Sequence, residues 1–266
     1  MRGFVTISFD DGLSSVYTLA FPEMERIGAT GTVFVISDLI GSRYSGYPVM
    51  TKQMLKSLSS KGWEIGSHTR THQNLALLSG TELMAELMES KTTLQRLLGC
   101  NISSLAYPFG ACDAKVRALA SKYYKFARTV SCYPPLRTNR IPPTDRLQLS
   151  AISAYDRPLS LPIHLINDFL YSRIAGLGPQ RRSGVTSSIG LPSNRHVVEA
   201  RFVRKWVRNL RANQWLVLCF HDISIEKKSS TYSICVNQFR EIMKAVSNGS
   251  TIINIGDANT TSSFQT

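Results

Sequence analysis

The sequence has few cysteines and no run of apolar residues long enough to cross a bilayer. Its 5 cysteines are widely spaced and form no C-x-x-C pair, which argues against a zinc ribbon or a dithiol redox motif. Buried or free thiols in a reducing compartment are the simplest interpretation. No secretory signal peptide is visible, so we expect a cytoplasmic or peripheral location, or an extracytoplasmic one if the amino terminus has been trimmed.

Acidic residues are also scarce, with 18 against 31 basic ones and a net charge of +13. This balance favours anionic surroundings such as acidic polymers, nucleic acid or a lipid surface. The basic residues are spread along the chain without a zinc-finger or RNA-recognition signature, so specific nucleic-acid binding is the weaker interpretation. A basic stripe along residues 201–211 leaves peripheral membrane contact open, although a helix packed on a sheet is the favoured reading.

Short apolar segments alternate with helical patterns along the chain. We predict strands at 5–9, 32–36, 63–66, 103–107, 125–129, 215–220 and 251–255, and helices at 16–27, 51–61, 80–98, 113–122, 201–211 and 237–247. This alternation predicts a parallel sheet with helices outside it. Two segments break the pattern: residues 134–162 are rich in proline, and residues 176–194 are rich in Gly, Ser, Pro and Arg. We expect the second to be a surface loop.

Reactive side chains follow several of the predicted strands. Asp10 and Asp11 come directly after the first strand, His68 after the third, and His221 after the strand at 215–220. In a parallel α/β barrel the carboxyl ends of all strands open on the same face, where the active site lies. We therefore expect these side chains to meet.

His68 and His72 are four residues apart, a spacing that places both imidazoles on the same side of a helical turn. An isolated pair of this kind would be read as two unrelated surface residues. With a carboxylate from the Asp10-Asp11 pair, however, they make a three-ligand set with open positions for water, which is typical of catalytic zinc. The sequence therefore predicts a metal site.

Four segments now carry a resemblance to a known family: SFDDG at 8–12, SHTRTH at 67–72, AYPFG at 106–110 and LCFHD at 218–222. In this order they resemble the motifs of the NodB-homology polysaccharide deacetylases, carbohydrate esterase family 4. The resemblance implies a distorted, incomplete (β/α) barrel. We expect one catalytic domain over residues 1–255, with a basic loop inserted near 176–194, and a flexible tail over 256–266.

The resemblance also implies roles for individual residues. Asp11, His68 and His72 would bind one divalent metal, most simply zinc, with cobalt and nickel as alternatives. Asp10 would be the general base and His221 the general acid. The implied reaction is hydrolysis of a non-peptide C–N bond, which removes acetyl groups from N-acetylhexosamine residues of a polysaccharide or glycoconjugate. The residues implied in holding the oxyanion and the substrate are Tyr107, Pro108 and Phe109.

The sequence departs from the family pattern at three points, one of which is the basic loop near Arg181 and Arg182, which has no assignable counterpart. Ala106 stands where many members have an arginine that orients the base, and Arg146 is a candidate replacement. The aspartate that supports the acid is not obvious, with Asp145 and Asp156 as candidates. Three alternatives stay open: hydrolysis of another amide or formamide on the same fold, glycan binding without turnover, and nucleic-acid binding. The glycan, its linkage and the oligomeric state are left open.

Overall fold

The computed structural model describes residues 2–130, 138–154, 198–226 and 232–259. We number the elements in chain order within these ranges. The strands are β1 (Phe4–Phe9), β2 (Thr32–Val35), β3 (Arg43–Tyr44), β4 (Tyr47–Pro48), β5 (Glu64–Ser67), β6 (Ser104–Ala106), β7 (Phe126–Arg128), β8 (Asn139–Arg140), β9 (Ile152–Ser153), β10 (Gln214–Phe220), β11 (Asp222–Ser224), β12 (Ser233–Cys235) and β13 (Thr251–Ile252). The α-helices are α1 (Phe21–Glu25), α2 (Lys52–Ser60), α3 (Gly80–Leu98), α4 (Ala114–Ala120), α5 (Ala200–Arg208) and α6 (Val236–Ser247).

The main sheet has the strand order β7-β6-β5-β2-β1-β10-β8, with β13 beside β1 and β9 beside β10. All of its pairs are parallel except β10 with β8. The sheet is a curled half-barrel with helices packed on it, which confirms the predicted incomplete barrel. Within the described residues the predicted strands and helices are all present, with ends that shift by a few residues.

The central strand β1 is buried along its whole length because both of its faces are covered. Val5, Ile7 and Phe9 join the larger apolar cluster, which also contains Trp63 and the helix side chains. The opposite face contributes to a second cluster, which includes Trp215 and Cys219. Trp63 and Trp215 are therefore core residues.

Helix α3 begins and ends where the sequence predicted. Ser79 and Glu82 form a capping box at its start, and Gly99 ends it at φ +72°, a left-handed conformation that glycine adopts without strain. The helix buries Leu83 and Leu87 against the sheet. Glu86 lies among these apolar side chains and is also buried, which is unusual for a carboxylate.

Five strands of the main sheet deliver polar residues to the same edge. Asp10 and Asp11 follow β1, His68 follows β5, Tyr107 follows β6, Arg128 is the last residue of β7, and His221 follows β10. The carboxyl-terminal edge is thus the polar edge, as the sequence predicted for a parallel sheet.

Some predictions concern regions at the margins of the described structure. The basic loop near 176–194 lies outside the described residues. The prediction of a flexible tail from residue 256 is wrong at its start: Ile255–Asn259 form a 3₁₀ helix, and the Gly256 N–H donates to buried Glu64 at 2.9 Å.

Helix α5 buries Val203 and Val207, as expected for a helix packed on the domain. None of the described helices is long and apolar enough to cross a membrane.

Candidate active site

The predicted metal ligands meet at the carboxyl-terminal edge of the sheet. Asp11 Oδ1 lies 3.5 Å from His68 Nε2 and 3.6 Å from His72 Nε2. The three ligand atoms lie within 4.8 Å of one another, and the Asp11 and His68 side chains are buried. Their roles remain predictions, but the structure brings together the three side chains that one metal ion requires.

Hydrogen bonds at the far side of each imidazole orient the two Nε2 atoms. His68 Nδ1 lies 2.8 Å from the Ala106 carbonyl oxygen. Because a carbonyl only accepts, Nδ1 carries the proton and Nε2 presents a lone pair. His72 Nδ1 lies 2.9 Å from the Tyr44 hydroxyl. Burial lowers the pKa of His68 well below its ordinary value and the pKa of His72 to about 4, so both are neutral near pH 7, the form that binds metal.

The Asp11 carboxylate suits a metal cation, because the described residues place no cationic side chain of lysine or arginine against it. Its buried Oδ1 makes no hydrogen bond within the described part of the chain. Burial raises the pKa of Asp11 to about 7, because an ionised carboxylate without donors is unfavourable away from water. A divalent ion bound by Oδ1 and two neutral imidazoles would compensate this charge. The set of two histidines and one carboxylate suits zinc, and also cobalt or nickel.

The segment from His68 to His72 is a loop, so the expected helical turn is wrong. Thr69 and His72 both have φ +66°, in the left-handed region. Such a conformation is uncommon outside glycine and strained for a β-branched residue such as Thr69. The two imidazoles still converge on Asp11, but a strained loop brings them there.

Buried Glu86 of α3 holds this loop. Its Oε2 accepts from the backbone N–H groups of Arg70 and Thr71 at 2.9 Å each, and its Oε1 accepts from the Thr71 hydroxyl at 2.6 Å. Within the loop, Thr69 Oγ1 accepts from the His72 N–H at 3.1 Å. Sequence reasoning missed Glu86. The available signal was a carboxylate on the apolar face of an amphipathic helix.

The two oxygens of the Asp10 carboxylate have different surroundings: one contacts a buried cation and the other faces the cavity. Its Oδ1 forms an ion pair with Arg128, which is almost fully buried and lies 4.8 Å above the ring of Phe34. Its Oδ2 lies 3.8 Å from His68 Nε2 and 3.9 Å from His221 Nε2. Arg128 thus fixes one oxygen and leaves the other facing the reactive groups.

Arg128 therefore occupies the place for which Arg146 was the candidate, and that expectation is wrong. Arg146 is exposed, and its backbone carbonyl accepts from Ala127. The sequence did carry a signal for Arg128, since it is a charged residue at the carboxyl end of a short, otherwise apolar strand. Its partner, however, lies 118 positions away in the chain.

The side chains of the adjacent Asp10 and Asp11 point apart because the backbone turns between them, and not because the chain is extended. An extended chain would turn successive side chains to opposite sides. Instead Asp11 has φ +65° and begins a tight turn with Gly12 at φ +66°. A Cβ at Gly12 would also approach Val35 at 3.3 Å. The left-handed turn sends Asp11 toward the two histidines and leaves Asp10 beside Arg128.

His221 lies at the cavity with a pKa far from neutrality. Burial, followed by the charge of Arg128 and the neighbouring His72, lowers its pKa to about 3. The supporting aspartate proposed from the sequence is not Asp145, whose carboxylate pairs with Arg117 at 3.2 Å on the exposed surface. Asp156 lies outside the described residues.

Aromatic side chains line the cavity, which has a volume of about 390 Å³. Phe109 is 55% exposed and its ring centre lies 4.8 Å from that of His72. Tyr107 also lines the cavity, although it is almost fully buried, and it donates its hydroxyl to the Leu147 carbonyl at 3.0 Å. Gly110, Tyr44, Tyr47 and Tyr232 also line the cavity, whereas Pro108 does not.

Comparison with known proteins finds a family model that matches part of the chain. Residues 2–125 match the sequence model of a family described as polysaccharide deacetylase. Chitin deacetylase 1 of Cryptococcus neoformans is 30% identical over 116 residues, which are 44% of this chain and 23% of the relative. A poly-beta-1,6-N-acetyl-D-glucosamine N-deacetylase of Staphylococcus epidermidis is 27% identical over 139 residues, 47% of each chain. These alignments span less than half the length of the curated relatives.

Solved structures extend the similarity in fold to almost the whole chain. The Xyl-CE4 domain of a multidomain xylanase from the hindgut metagenome of Trinervitermes trinervoides aligns with a TM-score of 0.56 at 15% identity. The alignment covers 99% of this chain and 92% of that domain. At this identity the match concerns the fold alone, and it agrees with the half-barrel described above. The resemblance drawn from the four sequence motifs is confirmed.

Proposed function

We propose that this chain, whose residues 2–125 belong to the polysaccharide deacetylase family, is a metal-dependent hydrolase of N-acetyl groups on N-acetylhexosamine residues of a polysaccharide or glycoconjugate. The observation that carries the proposal is the convergence of Asp11, His68 and His72 directly beside the Asp10–Arg128 pair. A metal site next to a fixed carboxylate is the arrangement needed to activate water against an amide.

In this proposal Asp11 Oδ1, His68 Nε2 and His72 Nε2 hold the ion, with zinc as the first choice. When bound, the ion supplies Lewis acidity, which makes water more acidic and polarises the amide carbonyl. The protein keeps both imidazoles neutral by burial and fixes their orientation through Ala106 and Tyr44. This arrangement leaves the ligand lone pairs available without a rearrangement of the loop.

Asp10 takes the proton of the attacking water on its Oδ2, because Oδ1 is held by Arg128. The leaving amine then needs a proton. His221 is neutral at the start because of its low pKa, so it does not bring a proton of its own. It receives the proton collected by Asp10, whose Oδ2 lies 3.9 Å from His221 Nε2, and passes it to the amine.

Arg128 weakens the alternative of a glycan-binding protein without turnover. That alternative was motivated by Ala106, which leaves the base without its usual arginine, and by the lack of an obvious aspartate to support the acid. Because Arg128 supplies a buried guanidinium to Asp10 from another strand, the absence at position 106 no longer argues against catalysis. Hydrolysis of another amide or formamide on the same site remains the second candidate, since the metal and the base would serve it equally.

The test combines metal content with product analysis on the purified full chain. We expect about one zinc or similar ion per chain, as for a catalytic site with three protein ligands. We expect acetate and free amine in equal amounts from at least one member of a panel of chitin, β-1,6-linked N-acetylglucosamine and peptidoglycan oligomers. Formylated sugars and cyclic amides in the same panel identify the second candidate. A chain that binds no divalent ion, or that releases nothing when loaded, contradicts the proposal.

A further inference from the structure

A second group of potential ligands lies on the other side of Asp10. Asp10, Cys219 and His221 each offer one ligand atom, and these atoms lie within 4.8 Å of one another. The Cys219 thiol donates to Asp10 Oδ2 at 3.4 Å, and His221 Nε2 lies 3.9 Å from the same oxygen. Both residues come from the end of β10, whose register with β1 places Cys219 opposite Ser8 and Phe220 opposite Phe9. The sheet therefore fixes the spacing of this group.

The spacing of these atoms is close to that of ligands around one tetrahedral ion. With metal–ligand distances of about 2.0–2.3 Å, tetrahedral ligands are about 3.3–3.8 Å apart. A set of sulfur, imidazole nitrogen and carboxylate oxygen suits a borderline-soft divalent ion such as zinc or cadmium. The hydrogen bond from the thiol to Asp10 already brings sulfur and oxygen together, so an ion can replace the shared proton with little movement.

We propose that Asp10, Cys219 and His221 form a second cation site, separate from Asp11, His68 and His72, that takes a borderline-soft divalent ion and inhibits the protein. Binding replaces the thiol hydrogen by the metal: the S–H bond breaks, a sulfur–metal bond forms, and the proton leaves to solvent without any change of oxidation state. The product is a thiolate-bound ion that also engages Asp10 Oδ2 and His221 Nε2.

The second site is weaker than the first because of its surroundings. The Arg128 guanidinium is paired with the same Asp10 carboxylate and repels an incoming cation. An ion at the first site adds a further positive charge nearby, since His68 Nε2 is 3.5 Å from Asp11 Oδ1 and 3.8 Å from Asp10 Oδ2. We therefore expect ordered binding, with the first site filled at low metal concentration and the second only in excess.

Occupation of the second site removes both groups that transfer protons in the proposed reaction. Asp10 can no longer accept a proton from water on Oδ2, and His221 Nε2 can no longer pass one on. The inhibitory consequence rests on the proposed function, whereas the binding of the second ion does not. Activity should therefore rise with the first equivalent of zinc and fall in excess.

The test is a titration of the metal-free full chain with cadmium, followed by its ultraviolet thiolate-to-metal charge-transfer absorption. The first equivalent, bound by carboxylate and imidazoles, adds no thiolate absorption. The second adds it in the natural chain. Cys219→Ser and Cys219→Ala lose it, because loss of a direct ligand weakens binding by at least about 100-fold, the upper end of the loss seen for outer-shell partners. Cys235→Ser, which alters another buried thiol, keeps it.

Acetate release at one equivalent and in excess zinc gives the second measurement, expressed for each variant relative to its own activity at one equivalent. The natural chain and Cys235→Ser are inhibited by excess zinc, and both Cys219 variants resist it. A second equivalent with thiolate absorption that persists in Cys219→Ala overturns the inference. So does a chain that binds one equivalent and no more, a result that leaves the proposed function intact. A chain that binds no ion at all contradicts both.

Discussion

The two sides of the cavity are built in different ways. The metal side consists of Asp11, His68 and His72, and its shape is set within two short loops with left-handed residues. The proton-transfer side consists of Asp10, Arg128, Cys219 and His221, and strands β1, β7 and β10 set their positions. The metal side therefore depends on local backbone conformation, and the proton-transfer side on the order of strands in the sheet.

In the proposed function, this difference separates two roles, metal binding and proton transfer, that lie within a few ångströms of each other. A change in the loops alters how tightly an ion is held, whereas a change at the strand ends alters what the bound ion can achieve. Asp10 and Asp11 are neighbours in the chain but belong to different sides, because the left-handed turn at Asp11 divides them. Variants of the two aspartates provide the most direct comparison.

The largest expected effect is that of Asp10→Asn. Acetate release should fall by about 10²–10⁴-fold, the usual contribution of a positioned base, while the metal content stays at that of the natural chain. His72→Ala is the matching change on the metal side, and there the ion itself should be lost. Metal analysis and acetate release on the same samples check both. If Asp10→Asn lost its metal, the division between the two sides would be wrong.

Removal of Arg128 should affect stability as well as activity. Arg128→Met leaves the buried Asp10 carboxylate without its cation, which typically costs about 3–5 kcal/mol of unfolding free energy. Denaturant unfolding of the metal-free chain measures this change. Arg117→Met removes the partner of an exposed carboxylate and should cost about 0–1 kcal/mol.

A double variant shows whether the loss at Arg128 comes from the unpaired charge. Arg128→Met combined with Asp10→Asn removes both charges and should recover much of the stability lost in Arg128→Met alone. Equal losses in the single and double variants would mean that Arg128 stabilises the protein through its packing on Phe34 instead.

On the metal side, Glu86→Gln should weaken metal binding by about 10–100-fold, as expected for a residue that positions ligands. Both Glu86 oxygens accept hydrogen bonds, so an amide nitrogen in either place would face a donor. Competition with a chelator measures the affinity directly. Glu89→Gln on the same helix, whose carboxylate pairs with the partly exposed Arg70 side chain, is the control and should bind metal normally. Equal affinities in the two variants would mean that Glu86 does not position the His68–His72 loop for metal binding.

The smallest effect concerns pH, and it also belongs to the metal side. Asp11 holds a proton below its pKa of about 7, whereas His72, with a pKa of about 4, and His68 hold none near neutrality. Metal must displace the Asp11 proton, so affinity should rise about tenfold per pH unit up to 7 and then level off. Calorimetry in buffers of different ionisation enthalpy should detect about one proton released at pH 6 and almost none at pH 8. Asp11→Asn should abolish this difference, and a release that does not change with pH would contradict the assignment.

Much of the fold was predictable because its signals are short-range. Helix α3 was located by its apolar spacing, and the structure shows that the Ser79–Glu82 capping box and Gly99 mark its two ends. The β3–β4 hairpin and the strands β11 and β12 were missed, since each is short and has little periodicity. The helix predicted at 16–27 is present, but it begins as a π-helix at Val16–Ala20. The loop at His68–His72 was misjudged because its spacing is compatible with a helical turn. Tertiary contacts favour the strained alternative: those of Glu86, and the hydrogen bonds that the Thr69 and Arg70 carbonyls accept from the N–H groups of Ser37 and Asp38.

The amino-acid sequence by itself determined the class of fold, the edge of the sheet that carries the chemistry and the three side chains that can hold a metal. Each follows from patterns within about ten residues, where backbone geometry permits few solutions. The tertiary structure alone decided that Arg128 pairs with Asp10, that Glu86 fixes the ligand loop and that His221 has a low pKa. These features depend on which strands become neighbours and on how deeply each charge is buried. Short stretches of sequence predict neither.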